Sequence, residues 1–101
     1  METKEAVAAL GALAQDTRLA IYRLLVEAGP EGLSVGQIGE EVGVAGATLS
    51  FHLKELSRAG LALPRQAGRF VYYSADYAAM RSLIGFLSAN CCRRQAARRA
   101  A

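Results

Sequence analysis

The sequence predicts a small, mostly helical domain carrying one β-hairpin. Apolar residues recur at three- and four-residue intervals in five separate stretches, capping and stop residues bound most of those stretches, and one later segment is rich in strand formers. The chain has 101 residues, 52% of them hydrophobic and 21% charged. That suffices for one core, and pairing with a second copy is expected, since a chain this short buries only roughly 60 to 65% of its unfolded surface. With only two prolines and this apolar content, disordered, collagen-like and low-complexity readings fail.

Val7, Leu10 and Leu13 give the spacing of a first helix over residues 3–14. Asp16 is the expected N-cap of a second, where Ile21, Leu24, Leu25 and Ala28 form a stripe that Gly29-Pro30 ends. Ser34 with Gln37 three residues on is a capping-box pattern, opening a short helix with Val35, Ile38 and Val42 inward and Gly43 at its stop. The next helix is predicted over 45–59, with Leu49, Leu53 and Leu56 on one side and Thr48, Phe51, Lys54, Glu55 and Arg58 on another. Two helices joined by a short Gly-containing turn have the geometry of a helix-turn-helix. Leu61 to Leu63 alternates, residues 64–68 supply turn chemistry and residues 69–73 read as a strand, which makes a hairpin; Pro64 is tolerable if both strands are edges. Asp76 is placed to cap a last helix running to Asn90, striped by Met80, Leu83, Ile84 and Leu87. A helix-turn-helix followed by a basic hairpin is a winged helix. The chain is expected to divide into a winged-helix domain over 1–92 and a basic, flexible tail over 93–101.

The longest apolar stretches, 6–14 and 83–87, fall short of the ~20 residues of a membrane helix. Residues 6–14 imitate a signal-peptide core, but the leader before them carries two acids against one Lys, so the expected location is the cytoplasm, with no membrane partner. Charge is split along the chain. Residues 1–60 hold five Lys/Arg and eight Asp/Glu, whereas residues 61–101 hold seven Arg and the single acid Asp76. A basic half of this kind makes double-stranded DNA the first partner to consider.

Three segments make the reading specific: residues 14–21 (AQDTRLAI), residues 48–61 (TLSFHLKELSRAGL) and residues 68–73 (GRFVYY). Together, in this order and spacing, they closely resemble the ArsR/SmtB family of metal- and metalloid-responsive winged-helix repressors, in register from about residue 7 to residue 90. The resemblance implies a homodimer joined through the first and last helices, for which Val7, Leu10, Leu13, Met80, Leu83, Ile84 and Leu87 supply an apolar surface. It implies a recognition helix in the major groove and a wing beside the minor groove or backbone.

Thr48, Ser50 and Phe51 are expected at base edges and Lys54 and Arg58 at phosphates; the resemblance places Ser50 and His52 among the DNA contacts and implies that Arg65 and Arg69, on the wing, lie at the backbone. The bland alternatives are an amphipathic helix with a solvated face and half-buried His52, and a basic solvated turn. Of Tyr72 and Tyr73, which alternate faces, at least one is expected to pack on the core. Cys91 and Cys92, the only cysteines, sit too close along the chain for a structural disulfide, since consecutive Cα atoms lie about 3.8 Å apart and bridges prefer roughly 4.4 to 6.8 Å. They can instead chelate one soft, thiophilic centre, with Arg93 and Arg94 favouring the thiolate. No zinc site is recognisable: the one His lies outside the last helix, and Ser34 and Gly36 stand where some family members carry a Cys-x-Cys pair. The Asn-Cys-Cys end resembles the arsenic-responsive branch, in which three sulfurs hold trivalent arsenic or antimony; this chain offers two. The third position is left to water, an added thiol, a cysteine of a second copy, the methyl group of a methylated trivalent arsenical, or a cysteine beyond residue 101.

The expected function is that of a homodimeric repressor that releases operator DNA when trivalent arsenic or antimony binds Cys91 and Cys92. The alternative is a winged-helix regulator that senses thiol oxidation or no inducer, and a protein-interaction module is a third option. An enzyme is not expected: Cys92 and Arg98 match the Cys-x5-Arg spacing of an anion loop, but the five residues between them are Arg93-Arg94-Gln95-Ala96-Ala97 and a helix is expected before them instead of a strand, and no nucleophile–base pair or nucleotide loop appears.

Overall fold

The computed structural model describes residues 1–95; the remainder of the expected tail, residues 96–101, lies outside the described residues. Helix α1 (Thr3–Leu13) turns Ala6, Ala9 and Ala12 inward. These small side chains let the helix lie close to its neighbours, while Val7 and Leu10 face outward. Helix α2 (Asp16–Ala28) departs from expectation at its start: the cap is Gln15, whose Oε1 accepts the Arg18 N–H at 2.9 Å, and Asp16 is the first helical residue. Gln15 has the extended backbone that a cap needs, and the Asp16 carboxylate still favours the positive end of the helix. Its inner stripe is Ile21, Tyr22 and Leu25, with Leu24 half-buried and Ala28 exposed.

The capping box at Ser34 is present: Ser34 N–H donates to Gln37 Oε1 at 2.9 Å and Gln37 N–H to Ser34 Oγ at 3.2 Å. It opens α3 (Val35–Val42), which ends at Gly43 in the left-handed region with φ +72°. Gly39 has a different reason to be glycine. A Cβ there would stand 2.7 Å from the Val44 carbonyl oxygen and 3.1 Å from Leu49 Cδ2, so bare backbone lets α3 close onto the turn and α4 (Gly46–Arg58). Helix α4 buries Leu49, His52, Leu53 and Leu56.

The sheet has three strands rather than two. Strands β2 (Ala62–Ala67) and β3 (Phe70–Ala75) form the hairpin, and β1 (Leu33–Ser34) pairs with the far side of β3, giving the antiparallel order β1-β3-β2. β3 is thus central, and Pro64 lies within the edge strand β2, where its missing N–H costs no ladder bond. Two residues are too few to show alternation; β1 exists because β3 offers it an edge. The turn is also tighter than the expected 64–68. It is Gly68-Arg69, with Gly68 at φ +61°, the sign a two-residue hairpin turn needs at its first central position.

Asp76 caps α5 (Tyr77–Ser88) through Oδ1, which accepts the Ala79 N–H at 3.1 Å. The Tyr77 hydroxyl reaches the Leu25 and Val26 carbonyls, two acceptors of the α2 end, at 3.2 and 3.0 Å. The core centres on Ile21, Leu25, Ile38, Leu53, Leu56 and Leu61, all fully buried, and these seat the helix-turn-helix against α1, α2 and the hairpin. No helix of the described residues is long and apolar enough to cross a membrane.

Candidate nucleic-acid interface and thiol pair

Burial of Leu49, Leu53 and Leu56 fixes the rotation of α4 and leaves Thr48, Ser50, Phe51 and Lys54 exposed on its outer side. Phe51 is 55% exposed, a large aromatic held in water among hydroxyls and a cation. Ala45, the cap residue of α4, supplies no side-chain acceptor, so the first-turn N–H groups are open to an anion. Arg58 stands about 12 Å along the helix from Ser50 and forms an ion pair with Glu55 at 3.0 Å. It also borders a small cavity beside Ala8, Gly11 and Ala12 of α1.

His52 corrects the expected contact set. It is buried, and its Nδ1 lies 3.2 Å from Arg18 Nη1. A guanidinium only donates, so Nδ1 accepts and the ring proton resides on Nε2. The Arg18 Nε donates in turn to the Ala12 carbonyl at 2.7 Å. One helical step from Phe51 carries His52 onto the inner side of α4, so it supports the outer face rather than standing on it.

The wing carries both expected arginines, exposed. Arg65 Nη2 donates to the Glu31 carbonyl at 3.1 Å and its guanidinium lies 4.9 Å from the Tyr72 ring centroid. Arg69, at the turn itself, lies 5.9 Å from the Phe70 ring. Phe70 is 56% exposed at the tip, a residue that sequence reading passed over as a strand former. Tyr73 packs on the core and Tyr72, on the opposite face, supports Arg65.

Cys91 and Cys92 follow α5, both free and exposed, with Sγ atoms 3.4 Å apart. Asn90 and Cys92 have positive φ, 59° and 62°, so the chain turns sharply there. The pair supplies two soft donors. Among the described residues no group of three or more His, Cys, Asp or Glu could hold a metal ion.

The residues expected at a dimer interface divide. Val7, Leu10, Ile84 and Leu87 are exposed on α1 and α5, whereas Leu83 is buried in the subunit's own core and Leu13 and Met80 pack partly against it. Leu83 is therefore core first, because its position on α5 faces inward.

The helix-turn-helix domain family matches residues 13–65, from the end of α1 into β2. The chain belongs to that family. Among solved structures the chain is similar to HlyU from Vibrio cholerae, 31% identical, covering 91% of this chain and 99% of that one with a TM-score of 0.70. A homodimeric winged helix-turn-helix DNA-binding domain from Mycobacterium bovis, described as a possible ArsR-family transcriptional regulator, is 28% identical over 86% of this chain and 81% of its own, with a TM-score of 0.68. In sequence, the chain is 43% identical over 63 residues to an uncharacterized HTH-type transcriptional regulator, YceK, of Bacillus subtilis, 62% of each chain. The alignments to the curated relatives span 62% of those relatives' length. This is the winged fold of ArsR-type regulators, and its relatives are named as regulators of transcription rather than as enzymes.

Proposed function

We propose that this helix-turn-helix protein is a homodimeric transcriptional repressor that binds double-stranded operator DNA and releases it when trivalent arsenic or antimony, methylated arsenic included, binds Cys91 and Cys92. The DNA part rests on one surface: the exposed Thr48, Ser50, Phe51 and Lys54 of α4 beside the arginine-bearing wing. Hydroxyls and an aromatic suit base edges and thymine methyls, and Lys54, Arg65 and Arg69 suit phosphates. A two-fold dimer sets a pair of such helices about 34 to 36 Å apart, one turn of DNA.

The inducer part is carried by the 3.4 Å separation of two exposed, free sulfurs at the end of α5. Their softness selects a thiophilic centre over hard cations. The same helix carries Ile84 and Leu87, so an atom captured by the thiols sits at the end of the surface proposed to join the subunits. A coupling of about 1 to 3 kcal/mol changes operator affinity roughly 5- to 150-fold, enough for derepression.

Release of a promoter duplex, titrated with arsenite, antimonite and methylarsenite, tests both parts. Arsenite is expected to displace the wild type, while Cys91→Ser and Cys92→Ser bind DNA normally and stay bound. Displacement of either variant at unchanged arsenite refutes the thiol site. Release by peroxide with arsenite inert would assign the pair to thiol oxidation instead, and retardation of no DNA at low salt would remove the DNA reading altogether.

A further inference from the structure

Arg18 belongs to neither proposed binding surface, yet it touches an element of each. Its Nε donates to the Ala12 carbonyl in the last turn of α1, at 2.7 Å, and its Nη1 to His52 Nδ1 on α4, at 3.2 Å. The Ala12 carbonyl is among the last four of its helix, which have no partner within α1, and a cation there also complements the helix's negative end. The guanidinium is planar and rigid, so its two donor directions are fixed relative to one another. A shift of the α1 end cannot be absorbed at Nε without moving Nη1. His52 in turn meets the ring of Phe51 edge-on at 5.6 Å between centroids, and Phe51 is the exposed aromatic of the outer face.

We propose that Arg18 is a positioning residue that sets α4 against α1 through His52, so that a displacement of the subunit-joining helix reaches Phe51. This rests on the DNA reading above and adds to it the route by which the joining helices and the recognition helix are coupled. The connection is short: Ala12 carbonyl, guanidinium, imidazole, Phe51. Lysine cannot substitute, because one ammonium offers no planar fork with which to hold both acceptors. Glutamine at 52 can, because its side-chain oxygen accepts; phenylalanine fills the space and accepts nothing.

The chain has a single histidine, so its imidazole gives an unambiguous signal in long-range proton–nitrogen spectra of the whole protein. With Arg18 donating to Nδ1, the spectrum is expected to show the ring proton on Nε2, and Arg18→Lys to abolish that fixed tautomer and shift the amides of residues 48–51. A proton on Nδ1, or amides of 48–51 unmoved in Arg18→Lys, overturns the proposal whether or not DNA binds. Affinity for a duplex from the promoter upstream of its coding sequence gives the second arm. Arg18→Lys and His52→Phe are each expected to lose about tenfold, inside the usual range of coupling between sites. The double variant should lose no more than either alone, with His52→Gln within about threefold of wild type, and melting curves showing all four folded. Wild-type affinity in both single variants, or losses that multiply in the double, overturns it.

Discussion

Two surfaces of this molecule leave large apolar side chains in water, and they differ in what surrounds them. On α4 and the wing, Phe51 and Phe70 are 55% and 56% exposed, set among Thr48, Ser50, Lys54, Arg65 and Arg69. On α1 and α5, Val7, Ile84 and Leu87 are 62%, 59% and 62% exposed, Leu10 and Leu19 are exposed as well, and beside Ile84 lies a groove of about 580 Å³ lined by Leu13, Tyr22, Val26, Met80 and Leu83, with Arg23 and Glu27 among its lining. Equal exposure therefore means different things. An aromatic within hydroxyls and cations suits a polar, anionic surface that also has flat or methyl-bearing faces. A predominantly aliphatic face suits another aliphatic face, and a second copy of the same chain brings one.

The largest effect is expected from placing a charge in the aliphatic face. Ile84→Asp, chosen because Leu83 belongs to the subunit core, buries an unpaired carboxylate in any α1/α5 pairing. Light scattering should show one chain, and promoter affinity should fall about a hundredfold or more as two-site binding is lost. A persistent two-chain mass would break the assignment of that face.

A smaller change sharpens the other side. Arg69→Ala, at the free tip of the wing, should weaken DNA binding and lower the slope of log affinity against log salt by about one. Arg65→Ala is expected to do less, because its guanidinium is already engaged by the Glu31 carbonyl and the Tyr72 ring. Equal slopes in wild type and Arg69→Ala would take the tip off the DNA.

The smallest effect belongs to a residue on the wall of the groove beside Ile84. The Tyr22 hydroxyl is buried with no hydrogen-bond partner among the described residues. Burial first, then the charges of Asp76 and Tyr77, hold its pKa above the ordinary 10.0. Its neutral form is thus the one that the fold accepts; this contribution is complete below pH 10.0 and is lost as pH rises through the raised value. Tyr22→Phe should raise stability by up to about 1 kcal/mol and flatten the loss of stability in strong base. A lower melting temperature in the variant would mean that the hydroxyl has a partner.

The helices and their stops were open to reading because they depend on neighbours a few residues apart. Ser34 with Gln37, Gly43 and Asp76 act within one turn, and the Leu49, Leu53, Leu56 stripe fixes the rotation of α4 without reference to the rest of the chain. His52 shows where such reading runs out. Its place on the helix is legible at the border of the outer face, but its partner is Arg18, 34 positions away and brought near only by packing of α2 on α4. Arg18 itself stood in a segment already marked as distinctive, with nothing to say what its guanidinium would meet. Strand β1 was missed for the same reason.

By itself the sequence determined the helical periods, the caps, the hairpin, the basic second half and the adjacency of the two thiols, all of which are set by covalent order and short-range chemistry. The tertiary structure decided which of those residues face water: it took His52 and Leu83 inward, tied Arg58 to Glu55, gave β3 a second neighbour and raised Phe70 at the tip. Exposure is a property of the packed whole, since it depends on which distant element covers each face.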